Sequence, residues 1–187
     1  DSNEFKDFLN ITAGINPFKD QGDKVISYEI HEQMDLPDIV IIPTANGCLL
    51  SGIYQGFLEL VELGLTKRIP KLIAVQIKNA DPIAVAMRKK ISTYSMESIH
   101  ESLAEGLAAI ESYCSPKAIH ALKSTKGFVY SVSEEALIDA MKYAIGTEGI
   151  IPEWTSASVF AAVEGMYREK IINENEKVLG INTGSGM

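Results

Sequence analysis

Two short runs in this sequence combine small residues with polar groups in the manner of ligand-binding turns. The first is Thr44-Ala45-Asn46-Gly47-Cys48, continued by Leu49-Leu50-Ser51-Gly52. The second is Thr183-Gly184-Ser185-Gly186, next to the final Met187. Small side chains let an anion reach the backbone, and the first turn of a helix carries N–H groups with no intrahelical acceptor. The first run therefore suits a phosphate or carboxylate, although an ordinary strand-to-helix turn has the same composition and the residues alone weigh the two readings equally. It has neither the Gly-Lys-Ser/Thr of a Walker A loop nor the G-x-G-x-x-G of a dinucleotide fingerprint. The second run offers a neutral hydroxyl, Thr183, among glycines that let a flat ligand approach; by itself it reads as a flexible turn.

Other candidates are weaker. Glu148-Gly149 followed by Glu153 reads as a solvated loop, and Ser102-Leu103-Ala104-Glu105-Gly106 as a helix surface. Cys48 at a helix start could be a nucleophile, but no His lies near it in sequence and a small packed thiol is the expectation. His31, His100 and His120 are expected at surface or packing positions, and Met34 and Met166 in the core. Three scattered His and two distant Cys show no zinc-ligand spacing and no disulfide framework, so no metal is expected.

The elements that would position these residues alternate. Asp38-Ile39-Val40-Ile41-Ile42-Pro43 is β-branched without polar alternation, as in a strand covered on both faces. After the turn, Leu50, Ile53, Tyr54, Phe57, Leu60, Val61 and Gly64 recur at helical spacing. Further strands are expected over 72–76, 128–132 and 177–182, with a short one over 5–13. Helices are expected over 21–34, from Asp81-Pro82 to Lys90, from Ser115-Pro116 to Gly127, over 136–145 behind a Ser133 cap, and over 155–170. Gly14-Ile15-Asn16-Pro17 reads as a turn, and 91–106 as irregular or partly helical. The class is α/β: an open, mostly parallel sheet with helices on both faces, whose ligands sit at the carboxyl ends of strands.

The chain has 187 residues and a formal net charge of −8. That balance argues against a nucleic-acid or anionic-membrane surface. No run is long and apolar enough for a membrane-spanning helix, and the cysteine usage fits a reducing cytoplasm. The start at Asp1 without Met is expected to reflect processing or cutting.

Taken in order, these stretches resemble the threonine synthase family of fold-type II pyridoxal-phosphate enzymes. Asn16-Pro17-Phe18-Lys19 with Gly22, then the run from Asp38 to Gly52, then Gly56-Phe57, Glu59-Leu60, Glu62-Leu63-Gly64-Leu65 and Arg68-Ile69-Pro70-Lys71 resemble the start and phosphate loop of its large domain. Leu103-Ala104-Glu105-Gly106-Leu107-Ala108 resembles a pocket segment of these enzymes. Glu148-Gly149-Ile150 to Glu153 with Ser156-Ala157-Ser158 resembles a later block, and Asn182-Thr183-Gly184-Ser185-Gly186 their terminal Thr-Gly-His-Gly. The shared order over nearly the whole chain makes the match more specific than any one block.

The resemblance implies a partial tryptophan-synthase-β-like fold, with residues 1–187 as the large cofactor-binding domain, the C-terminal part of a longer enzyme. It implies a pyridoxal phosphate cofactor whose 5′-phosphate is cradled by Ala45, Asn46, Gly47, Cys48 and Leu49. Glu105 and Gly106 would line the ring, and Thr183 would meet the pyridine nitrogen. The substrate would be O-phosphohomoserine, converted with water to threonine and phosphate. A related threonine or serine dehydratase, or a non-catalytic domain of the same fold, are the alternatives, and a homodimer is allowed. Three departures stand out: Cys48 where the family usually has Gly, Leu49 where it often has Asn, and Ser185 in place of His. Phe18-Lys19-Asp20-Gln21-Gly22 imitates the family's Schiff-base lysine stretch, but Lys19 stands too close before the phosphate loop. The lysine is expected in an N-terminal region outside these residues, leaving the isolated chain inactive.

Overall fold

The computed structural model describes residues 10–12, 14–98 and 101–186. Its sheet has four parallel strands in the order β3-β2-β1-β4: β1 (Ile39–Pro43), β2 (Lys71–Ile77), β3 (Phe128–Val132) and β4 (Val178–Gly180). Alternate residues of a strand point to opposite faces, and in β1 and β2 both faces are covered. Ile39, Ile41, Ile73 and Val75 pack with Leu137, Val159, Ala162 and Met166 on one side. Val40, Ile42, Leu72 and Ala74 pack with Leu50, Ile53, Phe57 and Leu122 on the other. This double burial is why neither strand shows polar alternation.

The first face is covered by α6 (Glu134–Tyr143) and α7 (Trp154–Arg168), the second by α3 (Cys48–Glu62) and α5 (Ser115–Ser124). After β3 the chain changes face and returns to place β4 beside β1. The strand order therefore reverses between β1 and β4, the position where open α/β sheets form a ligand crevice.

The expected central strands and β3 are found, while β4 is shorter than the 177–182 read from its apolar run. The single helix expected over 21–34 is two: α1 (Pro17–Asp23) and α2 (Val25–Gln33). Of the turn expected over Gly14-Ile15-Asn16-Pro17, Gly14-Ile15 is a turn, while Asn16-Pro17 is the start of α1. The Asn16 side chain accepts the Phe18 N–H at 2.9 Å, and Pro17 sits where its missing N–H costs nothing. Asp81 precedes α4 (Pro82–Lys89) without capping it; its carboxylate accepts the Ser131 hydroxyl at 2.8 Å instead. Met166 is fully buried, but Met34 is 37% exposed, because α2 ends one residue before it. Of the strand expected over 5–13, residues 10–12 are irregular and the rest lies outside the described residues, as does His100.

Candidate cofactor crevice

At the end of β1 the chain turns through Thr44 to Gly47 into α3. Gly47 has φ +89°, a left-handed conformation that glycine adopts without strain, and it is the cap residue of α3. A side chain there would also stand 2.8 Å from the Ala118 Cβ of α5. Thr44 is buried, its N–H on the Val75 carbonyl (2.8 Å) and its hydroxyl on the Ile42 carbonyl (2.8 Å). The Cys48 N–H reaches only the Asn46 side chain, at 3.3 Å. The N–H groups of Ala45, Asn46, Gly47, Leu49 and Leu50 have no acceptor among the described residues. Unanswered donors at a helix N-terminus favour an anion there.

The carbonyl side of the turn is covered. Residues 112–115 cross it: the Cys114 N–H donates to the Asn46 carbonyl at 3.0 Å, and the Ser112 hydroxyl to the Ala45 carbonyl at 2.8 Å. Gln76, fully buried, adds a bond to the same Ala45 carbonyl at 3.3 Å. The turn is thereby fixed from behind while its donors stay unused.

Beyond β4, Thr183 is exposed and held by α7. The Ser156 oxygen, buried at the start of α7, accepts the N–H groups of Thr183 (2.9 Å) and Gly184 (3.2 Å). With its lone pairs so used, its proton is available to the Thr183 hydroxyl 3.2 Å away. Thr183 Oγ1 in turn donates to Glu153 Oε1 at 2.9 Å, and the Glu153 N–H donates back to the Gly184 carbonyl at 3.1 Å. Glu153, read from sequence as a solvated loop acid, is a member of this network, and Ser156 is its buried hub. Only their place in the Glu148–Ser158 block singled them out; the contact across 27 residues has no local signal.

Glu105 and Gly106 form a short 3₁₀ turn, both exposed. They line a cavity of about 730 Å³ together with Glu153, Thr155 and Gly186. A Cβ on Gly106 would fall 2.6 Å from Thr155 Oγ1, so only glycine lets this turn rest on the start of α7. The structure thus groups Glu105, Gly106 and the Thr183 network at one corner. Ala45, Asn46, Gly47, Cys48 and Leu49 lie at the end of the adjacent strand and do not line that cavity. Lys19 pairs with Asp23 at 2.9 Å on α1, its side chain 42% exposed.

The fold is a parallel open α/β sheet, with unpaired helix-terminal N–H groups after one strand and a hydroxyl held by hydrogen bonds after its neighbour. The chain belongs to the pyridoxal-phosphate dependent enzyme family, whose pattern matches residues 2–184. It is 34% identical over 181 residues to the threonine synthase of Methanocaldococcus jannaschii, covering 96% of this chain and 45% of that protein. It is 31% identical over 178 residues to that of Methanosarcina acetivorans, covering 94% and 44%. The chain therefore spans less than half the length of these relatives. Among solved structures, an L-serine ammonia-lyase from Rhizomucor miehei superposes with a TM-score of 0.77 at 19% identity, over 91% of this chain and 53% of that one. A processed threonine deaminase isoform 2 from Solanum lycopersicum gives 0.72 at 19% identity, over 90% and 43%. These likenesses establish the fold. Among the described residues no helix is long and apolar enough to cross a membrane.

Proposed function

We propose that this chain is the cofactor-holding, C-terminal part of a cytoplasmic threonine synthase acting on O-phosphohomoserine, its Schiff-base lysine supplied by preceding sequence. The observation that carries the reading is the pair of strand ends at the β1–β4 switch point: free N–H groups at the head of α3 and the braced Thr183 hydroxyl after β4. Kinship to threonine synthases supports the substrate assignment.

The residues present fit pyridoxal phosphate. The N–H groups of Ala45, Asn46, Gly47, Leu49 and Leu50 would hold its phosphate, with the Cys48 N–H joining if Asn46 releases it. Thr183 would meet the ring nitrogen, and Glu105 and Gly106 would flank the ring. When bound, the cofactor supplies an electron sink for bond breaking in the amino acid. The chain's own contribution is placement. Ser156 fixes the Thr183 backbone, and Glu153 competes for the Thr183 proton, so the pair sets how strongly that hydroxyl donates toward the ring. Lys19, occupied by Asp23 on α1, takes no part.

The test uses the full-length protein with pyridoxal phosphate and O-phosphohomoserine. Threonine and inorganic phosphate should form in equal amounts, with borohydride trapping the cofactor on a lysine other than Lys19. Deamination of serine or threonine without threonine synthesis, or trapping on Lys19, overturns the reading.

A further inference from the structure

The two cysteines, 66 residues apart in sequence, meet where α3 and α5 begin. Cys48 is the first residue of α3, and Cys114 is the cap residue of α5. Both are buried, and their sulfurs lie 2.7 Å apart. A disulfide bond is about 2.0 Å long, so the two sulfurs stand only about 0.7 Å outside bonding distance. The backbones beside them are already tied, by the Cys114 N–H on the Asn46 carbonyl and the Ser112 hydroxyl on the Ala45 carbonyl.

The surroundings are those of a thiol pair held in reserve. The Asp20 carboxylate lies within 4.8 Å of both sulfurs, with Oδ1 buried and unpartnered and Oδ2 on Lys117 at 2.7 Å. Burial foremost, with the Asp20 charge adding to it, pushes both thiols above their ordinary range. Protonated thiols do not attack disulfides, so the thiolate that starts exchange is the minor form of this pair. Ile110 and Tyr113, shortly before Cys114, are about half exposed. Asp20 and the two cysteines are also donors of the kind a thiophilic cation takes. Two sulfurs sharing a zinc ion at about 2.3 Å each, however, stand about 3.7 Å apart, well beyond the separation here.

We propose that Cys48 and Cys114 form a reversible disulfide that staples the 112–115 segment across the turn at the end of β1. The co-reactant is a small-molecule disulfide. One cysteine thiolate attacks a sulfur of that molecule and releases one small thiol. The second cysteine then attacks the mixed disulfide and releases the other. The cysteines give up two electrons and two protons, and the small disulfide is reduced to two thiols. The cross-link closes the chain between residues 48 and 114, restricting the unfolded state. This inference does not depend on the substrate assigned above.

The test exposes the full-length protein to oxidised glutathione, alkylates it under acid denaturation and maps its peptides by mass. The expected result is a peptide pair joined through Cys48 and Cys114, lighter by two hydrogens and separated by dithiothreitol. Oxidation should also raise the melting temperature of the wild type but not of Cys48→Ala or Cys114→Ala. Full alkylation of both cysteines after oxidation, a persistent glutathione adduct on either, a stoichiometric co-purified zinc ion, or an unchanged wild-type melting temperature overturns the proposal. The wild-type mass decides the matter even if a variant fails to fold.

Discussion

β1 and β4 are neighbours in the sheet, yet their carboxyl ends are built by different means. β1 is buried throughout, and the turn after it offers backbone N–H groups set by the packing of α3 and α5 behind it. β4 is a three-residue edge strand, half-buried at best, and the segment after it offers a side-chain hydroxyl set by Ser156 and Glu153. A backbone site needs a conformation; a side-chain site needs a network. The first should break when packing is disturbed and tolerate changes of polarity, and the second should do the reverse.

The largest effect is expected at the β1 end. Gly47→Val combines a β-branched residue at φ +89° with a Cβ 2.8 Å from that of Ala118. Strain and overpacking together should cost about 2–5 kcal/mol, read as a lowered denaturation midpoint, with loss of phosphate affinity. A change below about 0.5 kcal/mol, the scale of neutral surface substitutions, would mean the turn is less constrained than its contacts imply. At the β4 end, Ser156→Ala strips the acceptor from two N–H groups and should cost about 1–3 kcal/mol. Its cofactor absorbance should also shift, a readout that Gly47→Val would not mimic by altering phosphate contacts alone. Glu153→Gln keeps a hydrogen-bond acceptor for Thr183 and should change stability by less than about 1 kcal/mol, while still shifting the cofactor spectrum. An unchanged spectrum would remove Glu153 from the site.

Acid should separate the two regions as well. Glu59 on α3 takes the Lys24 ammonium at 2.7 Å and the Tyr28 hydroxyl, and these partners, Lys24 first, hold its carboxyl below the ordinary value of 4.5. A depressed carboxyl contributes stability above its unfolded-state pKa and loses it as pH falls through the lower folded value. Below about pH 4.5, amide exchange should therefore rise in α2 and α3 before it rises in α7. The acid sensitivity of the α2–α3 pair should shrink in Glu59→Gln, and equal loss across both regions would contradict the assignment.

Legibility in the sequence divides along the same line. The β1–turn–α3 unit was readable because buried strands, small-residue turns and amphipathic helices leave local patterns, and Leu50, Ile53, Phe57 and Leu60 are all buried as their spacing requires. The start of α1 was missed because Asn-Pro serves both turns and helix caps. The β4 corner was legible only through its resemblance, since Glu153, Ser156 and Thr183 meet across a distance that no periodicity encodes. The Cys48–Cys114 pair was invisible for the same reason.

The most direct test is an amide NMR titration of the protein with inorganic phosphate and then with pyridoxal phosphate. Phosphate alone should move the resonances of Ala45, Asn46, Gly47, Cys48 and Leu49 and leave Thr183 and Gly184 in place. The complete cofactor should move both sets. Shifts confined to other residues, or a cofactor response at Thr183 with none at the turn, would contradict the placement of the site.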